Sequence, residues 1–307
     1  MSSRTDRAVG CLLGLACGDA LGRPVEFRSA TEIARQYGRV TEMRGHGTHD
    51  RPAGTVTDDT DLALCLARSL AANGGFDAAD VARRFVAWYD ADPFDVGETT
   101  ARAVERLRDG AAPDAAGRAA WEASPEGANA GNGSLMRCVP HALAVRDRDR
   151  LAEVAAASSA ITHADPRCVE GCVALTAVIR GLLGGASPAA ALDDALALAA
   201  DRDAPAEVRE ALAVATDAEA TLETSGYVVH TLETALQDGL TASDAEAAVV
   251  TAVSRGGDAD TLGAVTGAVA GARFGADAVP DRWLDHVDEA PELRRLAREL
   301  DAPAPDR

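Results

Sequence analysis

Apolar residues recur at three- and four-residue spacing along most of the chain, which is the periodicity of helices that bury one face. No stretch alternates apolar and polar positions as a half-buried strand does, so the pattern predicts an all-α protein. Residues 22–56 show little helical period and predict a long irregular segment, and the tail from Asp277 is charged and contains proline. The predicted helices are 7–21, 61–72, 78–90, 97–108, 141–146, 150–161, 166–184, 188–200, 205–218, 226–237, 243–255 and the segment after residue 261.

Glycine lines one face of the first and the last of these core helices at a strict four-residue spacing. The two series are Gly10, Gly14, Gly18 and Gly22, and Gly263, Gly267, Gly271 and Gly275. Glycine inside a helix costs roughly 0.5–1 kcal/mol relative to alanine, so close packing must offset that cost. We predict that the two helices pack backbone against backbone, or that each accommodates another neighbour that approaches as closely. If they pack against each other, the ends of the chain form the centre of the fold.

Two short acidic clusters stand about two hundred residues apart, each where an aliphatic helix begins. Carboxylate and hydroxyl oxygens are the ligands that Mg²⁺ prefers, and a pair of ions needs adjacent or bridging carboxylates. Helix capping is the simpler explanation of either cluster alone, because Thr and Asp are common at helix N-termini. Taken together, the two clusters predict a metal site. The predicted ligands are Thr57, Asp58, Asp59, Asp258, Asp260 and Thr261.

A glycine-rich loop, residues 127–134, precedes Leu135. Its glycines let backbone N–H groups approach an anion such as a diphosphate, and a helix that follows would add its positive end. The spacing matches neither the Walker pattern nor the dinucleotide fingerprint, so an ordinary turn between helices is an equal alternative. Read alone, His163 is a helix-terminal histidine and Tyr227 a core or rim tyrosine.

Six blocks follow one another in a fixed order through most of the chain. They are Gly14–Gly22 with Glu26, Thr57–Thr60, Gly131–Arg137, Thr162–His163, Ser225–Val229 and Gly256–Thr261. This series resembles the ADP-ribosylglycohydrolase family, which includes dinitrogenase reductase-activating glycohydrolases and ADP-ribosyl-arginine and ADP-ribosyl-serine hydrolases. The resemblance implies a single domain over residues 1–307 with the family's compact orthogonal helical bundle. It also implies a binuclear centre of two Mg²⁺ ions, for which Mn²⁺ can substitute.

Carried over residue by residue, the resemblance also implies roles at the site. It implies hydrolysis of the glycosidic bond at the anomeric carbon of the distal ribose of an ADP-ribosyl group. The candidate catalytic carboxylates are Glu26, Asp59 and Asp260, with Glu26 near the scissile bond or the metals. The implied substrate contacts are Asn132, Gly133, Ser134, His163 and Tyr227. Which carboxylate accepts the proton and which ADP-ribosyl linkage is cleaved stay open.

The charge of the chain limits the classes of partner that it is expected to bind. With 49 acidic and 30 basic residues the formal net charge is -19, which argues against nucleic acid or an anionic membrane surface. The expected partner is an ADP-ribosylated protein or a small ADP-ribosyl molecule, and we expect a monomer. Six cysteines without a paired Cys-x-x-Cys spacing predict buried reduced thiols and a cytoplasmic protein. No signal-peptide pattern and no run of eighteen apolar residues is found.

Two other functions stay open at this point. The dipeptide His49-Asp50 suggests a metal phosphohydrolase of the His-Asp type, which is also all-α. Such a site needs several further histidines on helices, and the other five are scattered along the chain, so a solvated turn explains the dipeptide better. A non-catalytic member of the family would have lost metal ligands, whereas all six candidate positions are present. The sequence therefore favours a hydrolase.

Overall fold

The computed structural model describes residues 2–125 and 129–302, and within those ranges every regular element is a helix. The predicted all-α fold is confirmed, since the described residues form no β-strand and the β-type pairing among them is limited to three isolated bridges. The helices are α1 Arg4–Gly22, α2 Ala30–Tyr37, α3 Asp58–Asn73, α4 Ala78–Tyr89, α5 Glu98–Arg108, α6 Pro113–Glu122, α7 Pro140–Ala144, α8 Arg148–Ala160, α9 Pro166–Leu183, α10 Pro188–Asp201, α11 Ala206–Val214, α12 Val228–Thr241, α13 Ala245–Ser254, α14 Ala259–Phe274, α15 Asp281–Leu284 and α16 Ala290–Asp301.

Helices α1 and α14 form the centre of the fold and pack against each other through their glycines, as predicted. A Cβ added at Gly14 would lie 2.1 Å from the carbonyl oxygen of Gly267, and one at Gly18 would lie 1.9 Å from that of Gly263. Glycine numbers rise on one helix as they fall on the other, so the helices run antiparallel. The C-terminal end of α1 therefore lies beside the N-terminal end of α14.

Three regions that the periodicity left irregular contain helices. The segment 22–56 holds a 3₁₀ turn, Arg23–Val25, and the helix α2, which opens with a reciprocal capping box between Ser29 and Glu32. The tail holds α15 and α16. The third region, between α5 and α7, holds α6, which begins with a proline at its first position. The prediction of a long irregular segment is therefore wrong for the first turn after α1 and for residues 30–37.

One described stretch, Arg4–Val25, is long and apolar enough to cross a membrane by length and composition. It includes charged residues, so it is not the uninterrupted apolar run that was sought in the sequence. Its most apolar window is completely buried inside the fold. That burial is what the central helix of a helical bundle requires.

His141 on α7 is a buried histidine that gives a prediction on acid stability. Neither of its ring nitrogens has a hydrogen-bond partner in the described structure, and the ring packs edge-on against Phe76. Burial, and then the charge of Arg137, lower the pKa of His141 to about 3. In the unfolded chain this histidine is protonated below about pH 6.5, whereas in the folded chain it stays neutral down to about pH 3. The free energy of unfolding therefore falls as the pH drops from 6.5 toward 3.

We expect His141→Leu to reduce that acid sensitivity. The wild-type protein should lose up to about 1.4 kcal/mol of unfolding free energy per pH unit through this one group, and the variant should not. Urea unfolding between pH 7 and pH 4 measures the difference. The control is His46→Gln, which changes an exposed histidine and should follow the wild type. Equal slopes for wild type and His141→Leu would contradict the prediction.

Candidate active site

The two acidic clusters meet at the N-terminal ends of α3 and α14. Thr57 caps α3 by accepting a hydrogen bond from the backbone N–H of Asp59, so the capping interpretation is correct for this residue. Its hydroxyl also lies 3.2 Å from Oδ2 of Asp59, and the hydroxyl of Thr261 lies 3.4 Å from the same oxygen. Asp59 therefore joins two segments that are two hundred residues apart in the sequence.

Asp19, on the C-terminal half of α1, fixes the first turn of α3. It is fully buried and accepts hydrogen bonds from the backbone N–H groups of Thr57 and Thr60 and from the Thr60 hydroxyl. Burial raises its pKa to about 7, although the hydrogen bonds from Thr60 and Thr57 oppose that rise. Asp19 was not among the predicted site residues. The available signal was a charged residue in the apolar, glycine-lined part of the helix that follows Arg7.

Asp258 connects the second cluster to the glycine-rich loop. It occupies the N-cap position of α14 but makes no capping hydrogen bond with its side chain. Its Oδ2 instead accepts a hydrogen bond of 2.7 Å from Nδ2 of Asn132. The backbone N–H of Asn132 in turn donates to the carbonyl of Gly226, which ties the loop to the segment before α12. Helix capping therefore does not explain the presence of an aspartate at position 258.

Glu26 lies between the clusters. One oxygen from each of Glu26, Asp258 and Asp260 lies within 4.8 Å of the other two. Burial, and then the charges of Asp95 and Asp258, raise the pKa of Glu26 to about 9. On its other side, Oε2 of Glu26 lies 2.6 Å from Nε2 of His49, and the same nitrogen is 3.9 Å from Oδ2 of Asp95. His49 is thus a site residue rather than part of a solvated turn, and Asp95 was not predicted at all.

Arg23 positions the loop that carries His49. Its guanidinium is buried directly after α1 and donates only to backbone carbonyl groups. The acceptors are the carbonyl oxygens of Arg44, His46, Arg51, Pro52 and Thr55, at 2.9–3.3 Å. Because these five carbonyl groups lie before and after His49 in the sequence, the Arg23 side chain holds together the two segments of the loop that flank His49. The loop geometry that brings His49 to Glu26 therefore depends on a residue outside the loop.

These groups line a cavity of about 900 Å³. Among the residues that the structure describes, eight carboxylate side chains line it, and no arginine does. The predicted site residues on the cavity wall are Glu26, Asp58, Asp59, Asn132, Gly133, His163, Asp258, Asp260 and Thr261. Thr57, Ser134 and Tyr227 do not line it. The cavity is therefore strongly acidic at the point where the two clusters meet.

The carboxylates of this cavity fit a bound cation. Burial, together with repulsion from neighbouring carboxylates, raises the pKa of Asp58, Asp59 and Asp260 well above the ordinary range. Oδ1 of Asp59 is buried and has no hydrogen-bond partner in the described part of the chain. A buried oxygen without a partner is costly, and a divalent metal satisfies it. The donor set of carboxylates and one hydroxyl is the hard oxygen set that suits Mg²⁺ or Mn²⁺.

The glycine-rich loop is built differently from the prediction. A turn over residues 133–137 follows Asn132, and the next helix, α7, begins only at Pro140, so the loop does not lead directly into a helix N-terminus. Gly127 and Ala128 lie outside the described residues. Gly133 instead makes room for His163, since a Cβ at position 133 would lie 2.9 Å from the histidine ring. Burial lowers the pKa of His163 to about 3, so the ring is neutral.

Two of the predicted substrate contacts, Ser134 and Tyr227, do not line the cavity. Ser134 is buried and accepts a hydrogen bond of 2.9 Å from the hydroxyl of Ser159, so it stabilises the back of the loop. Tyr227 precedes α12, and its hydroxyl lies 3.3 Å from a guanidinium nitrogen of Arg167. In both blocks the residue immediately before the predicted contact, Gly133 or Gly226, lines the cavity instead.

Comparison with known proteins identifies the family. The family model described as ADP-ribosylglycohydrolase matches residues 1–306. The chain belongs to the ADP-ribosylglycohydrolase family. It is 37% identical to the ADP-ribosyl-[dinitrogen reductase] glycohydrolase of Rhodospirillum rubrum over 97% of this chain and 95% of that one. It is 33% identical to the ADP-ribosylarginine hydrolase Tri1 of Pseudomonas putida (strain GB-1) over 98% of this chain and 79% of that one.

A solved structure described as an ADP-ribosylglycohydrolase-related protein complex has the same fold. It superimposes with a TM-score of 0.84 at 37% identity and covers 98% of this chain and 99% of that one. The protein is therefore a glycosidic-bond hydrolase of the ADP-ribosylglycohydrolase family with that family's all-α fold. The alternative of a His-Asp phosphohydrolase finds no support, because His49 pairs with Glu26 and Asp95 and no second histidine joins them in the described structure.

Proposed function

We propose that this ADP-ribosylglycohydrolase is a Mg²⁺-dependent enzyme that releases ADP-ribose from arginine residues of modified proteins or from small ADP-ribosyl conjugates. The observation that carries the proposal is the convergence of both acidic clusters on Asp59, whose Oδ1 is buried without a partner. Arginine is the favoured linkage because its guanidinium is cationic, and Asp95, Glu98 and Glu223 line the cavity in addition to Glu26 and the carboxylates proposed as metal ligands. The names of the Pseudomonas putida and Rhodospirillum rubrum relatives agree with hydrolysis of ADP-ribosylated proteins.

The metal would be held by the oxygen ligands at the helix mouths. We propose two ions, with Mn²⁺ as a substitute for Mg²⁺. The proposed ligands are Thr57, Asp58, Asp59, Asp258, Asp260 and Thr261. When bound, such ions supply charge neutralisation and Lewis-acid polarisation. Asp19 accepts a hydrogen bond from the backbone of Thr57, and Asn132 donates one to Asp258. Asp19 and Asn132 would therefore orient the ligands.

The remaining side chains would bind the substrate and move a proton. Asn132, Gly133 and His163 line the cavity beside the cluster and would orient the diphosphate and ribose, which contributes to rate by positioning. Water attacks the anomeric carbon as the bond to the leaving group breaks. Glu26 is the candidate acceptor for the proton of that water, because its carboxyl group reaches the cluster and is held in place by His49. Bound divalent cations would lower its pKa from the raised value of the metal-free protein, so that it could act as a base. Asp59 and Asp260 support this step as ligands.

A panel of defined linkages tests the proposal. The protein is incubated with arginine-linked, serine-linked and O-acetyl ADP-ribose in the presence of Mg²⁺, Mn²⁺ or EDTA, and free ADP-ribose is measured. We expect release from the arginine linkage with Mg²⁺, activity with Mn²⁺, and a loss of at least about 100-fold in EDTA. No release from any linkage, or release that EDTA does not change, would contradict the proposal.

We further propose that the protein acts as a cytoplasmic monomer. All six cysteines are buried and free of disulfides, as expected in a reducing compartment. The strongly acidic surface disfavours nucleic acid and anionic membranes as partners.

A further inference from the structure

Phe27 stands in solvent at the mouth of the acidic cavity. Its side chain is 73% exposed, and no other large apolar side chain among residues 2–125 and 129–302 is exposed to this degree. The residue lines the cavity together with Glu26, which immediately precedes it. Exposing an aromatic ring has no benefit for folding, so its position points to a ligand.

The backbone holds Phe27 in this position. Its φ is 62°, a left-handed conformation that bulky residues rarely adopt. Its N–H donates to the carbonyl of Gly257 at 2.7 Å, and the N–H of Gly257 donates to the carbonyl of Arg28 at 2.8 Å. Two hydrogen bonds to the segment that leads into Asp258 therefore fix the strained residue. Strained residues that a structure holds this firmly concentrate at functional sites.

The ring is placed beside the carboxylate cluster. Glu26, which precedes Phe27 in the sequence, lies close to Asp258 and Asp260. Gly257, which accepts the backbone hydrogen bond of Phe27, immediately precedes Asp258. The proposed function puts the scissile bond at this cluster. A group attached to the anomeric carbon on the solvent side would therefore pass close to residue 27.

The ring of Phe27 also has a free face. Several aromatic rings in this chain are covered by the chain's own guanidinium groups, for example Arg51 over Phe94 and Arg137 over Phe85, at 4.5 and 4.8 Å from the ring centres. No cation or second ring lies over Phe27 in the described structure. A guanidinium from outside the chain can take that place, because a planar cation stacks well on an aromatic face.

We propose that Phe27 forms the acceptor subsite, in which its ring stacks on the guanidinium of the arginine that carries ADP-ribose. This inference rests on the proposed function for the reaction and adds the residue that recognises the leaving group. The carboxylates of Asp95, Glu98 and Glu223 also line the cavity and favour the same cation. The ring distinguishes a planar guanidinium from an ammonium group of equal charge, which the carboxylates alone do not.

The test compares two dications, agmatine and cadaverine, which end in a guanidinium and an ammonium group respectively. Their binding to the wild-type protein and to Phe27→Leu and Phe27→Tyr is measured by isothermal titration in Mg²⁺. Phe27→Leu keeps an apolar side chain and removes the aromatic face, whereas Phe27→Tyr keeps the face. We expect Phe27→Leu to weaken agmatine binding by about five- to tenfold and cadaverine binding by less than about twofold. Phe27→Tyr should resemble the wild type.

Turnover and product binding complete the test. Phe27→Leu should raise KM for arginine-linked ADP-ribose by a similar factor, while binding of free ADP-ribose and the melting temperature stay unchanged. The inference is overturned if Phe27→Leu binds agmatine like the wild type, or if agmatine, cadaverine and ADP-ribose all weaken equally. A wild-type enzyme that hydrolyses no ADP-ribosyl linkage would instead overturn the proposed function, and the titration distinguishes this result from a failure at Phe27.

Discussion

Replacing Asp59 by Asn is expected to lower kcat/KM for release of ADP-ribose by about 1,000-fold or more. Asp59 is the residue at which the two acidic clusters meet, and its Oδ1 has no other partner in the described structure. An amide keeps the shape of the side chain but not the charge that binds a divalent cation. Asp258→Asn should have the same effect from the other cluster. The measurement is initial rates on arginine-linked ADP-ribose at saturating Mg²⁺.

Asp61→Asn is the matched control for this experiment. Asp61 belongs to the same first turn of α3, but its carboxylate accepts a hydrogen bond from the indole N–H of Trp88 and does not line the cavity. We expect its kcat/KM to stay within about threefold of the wild type, because the side chain lies outside the cavity and an amide oxygen can still accept the hydrogen bond from Trp88. Full activity in both Asp59→Asn and Asp258→Asn would contradict the assignment of the clusters.

Stability measurements on the same variants separate lost chemistry from lost folding. In the metal-free protein, burial and neighbouring carboxylates raise the pKa of Asp59 in the folded state above its unfolded value. Ionisation of such a group costs stability as the pH rises above the ordinary range of a carboxyl, and the amide cannot ionise. Metal-free Asp59→Asn should therefore melt at or above the wild-type temperature at pH 7. An inactive variant that melts far below the wild type would indicate misfolding instead.

Gly18→Ala is expected to cause a large loss of stability. The new Cβ would lie 1.9 Å from the carbonyl oxygen of Gly263, and both groups are backbone or directly attached to it, so α1 and α14 must separate. Overpacking of this kind costs about 3 kcal/mol or more. Denaturant unfolding measures the loss. Because α1 carries Asp19 and α14 carries Asp260, the affinity for Mg²⁺ should fall as well.

Gly75→Ala is the control, since nothing lies within 4 Å of its Cβ position and its φ is not positive. We expect its unfolding free energy to change by less than about 0.5 kcal/mol. If Gly18→Ala and Gly75→Ala are equally stable, the two helices are not packed backbone against backbone.

The centre of the fold could be predicted because its determinants lie in local sequence patterns. The four-residue spacing of glycine gives each helix a flat face, and Gly14 and Gly18 meet their counterparts on α14 as that spacing implied. Helix α16 had a readable signal too, since Leu293, Leu296 and Leu300 recur at helical spacing. Its charge and its proline concealed the helix. The capping box of Ser29 and Glu32 would have indicated α2.

The site was harder to predict where its residues act through tertiary contacts. His49 lies in a loop with no periodic pattern, and tertiary hydrogen bonds, among them those from Arg23 and one from Thr48 to the backbone of Glu26, bring it to Glu26. Asp95 likewise reaches the cavity from the connection before α5. Ser134 lies outside the cavity lining, because the direction of a side chain in a turn does not follow from its place in a motif. Periodicity identifies faces of helices but not the directions of loop side chains.

Counting bound metal ions tests most directly the claim that both acidic clusters form one site. The number and affinity of Mn²⁺ ions are measured by titration with the wild type, Asp59→Asn and Asp258→Asn. We predict two ions per chain in the wild type and at least about tenfold weaker binding in either variant, since each cluster contributes ligands to the shared site. A wild-type protein that binds no divalent cation, or an Asp258→Asn protein that binds Mn²⁺ as the wild type does, would contradict the claim.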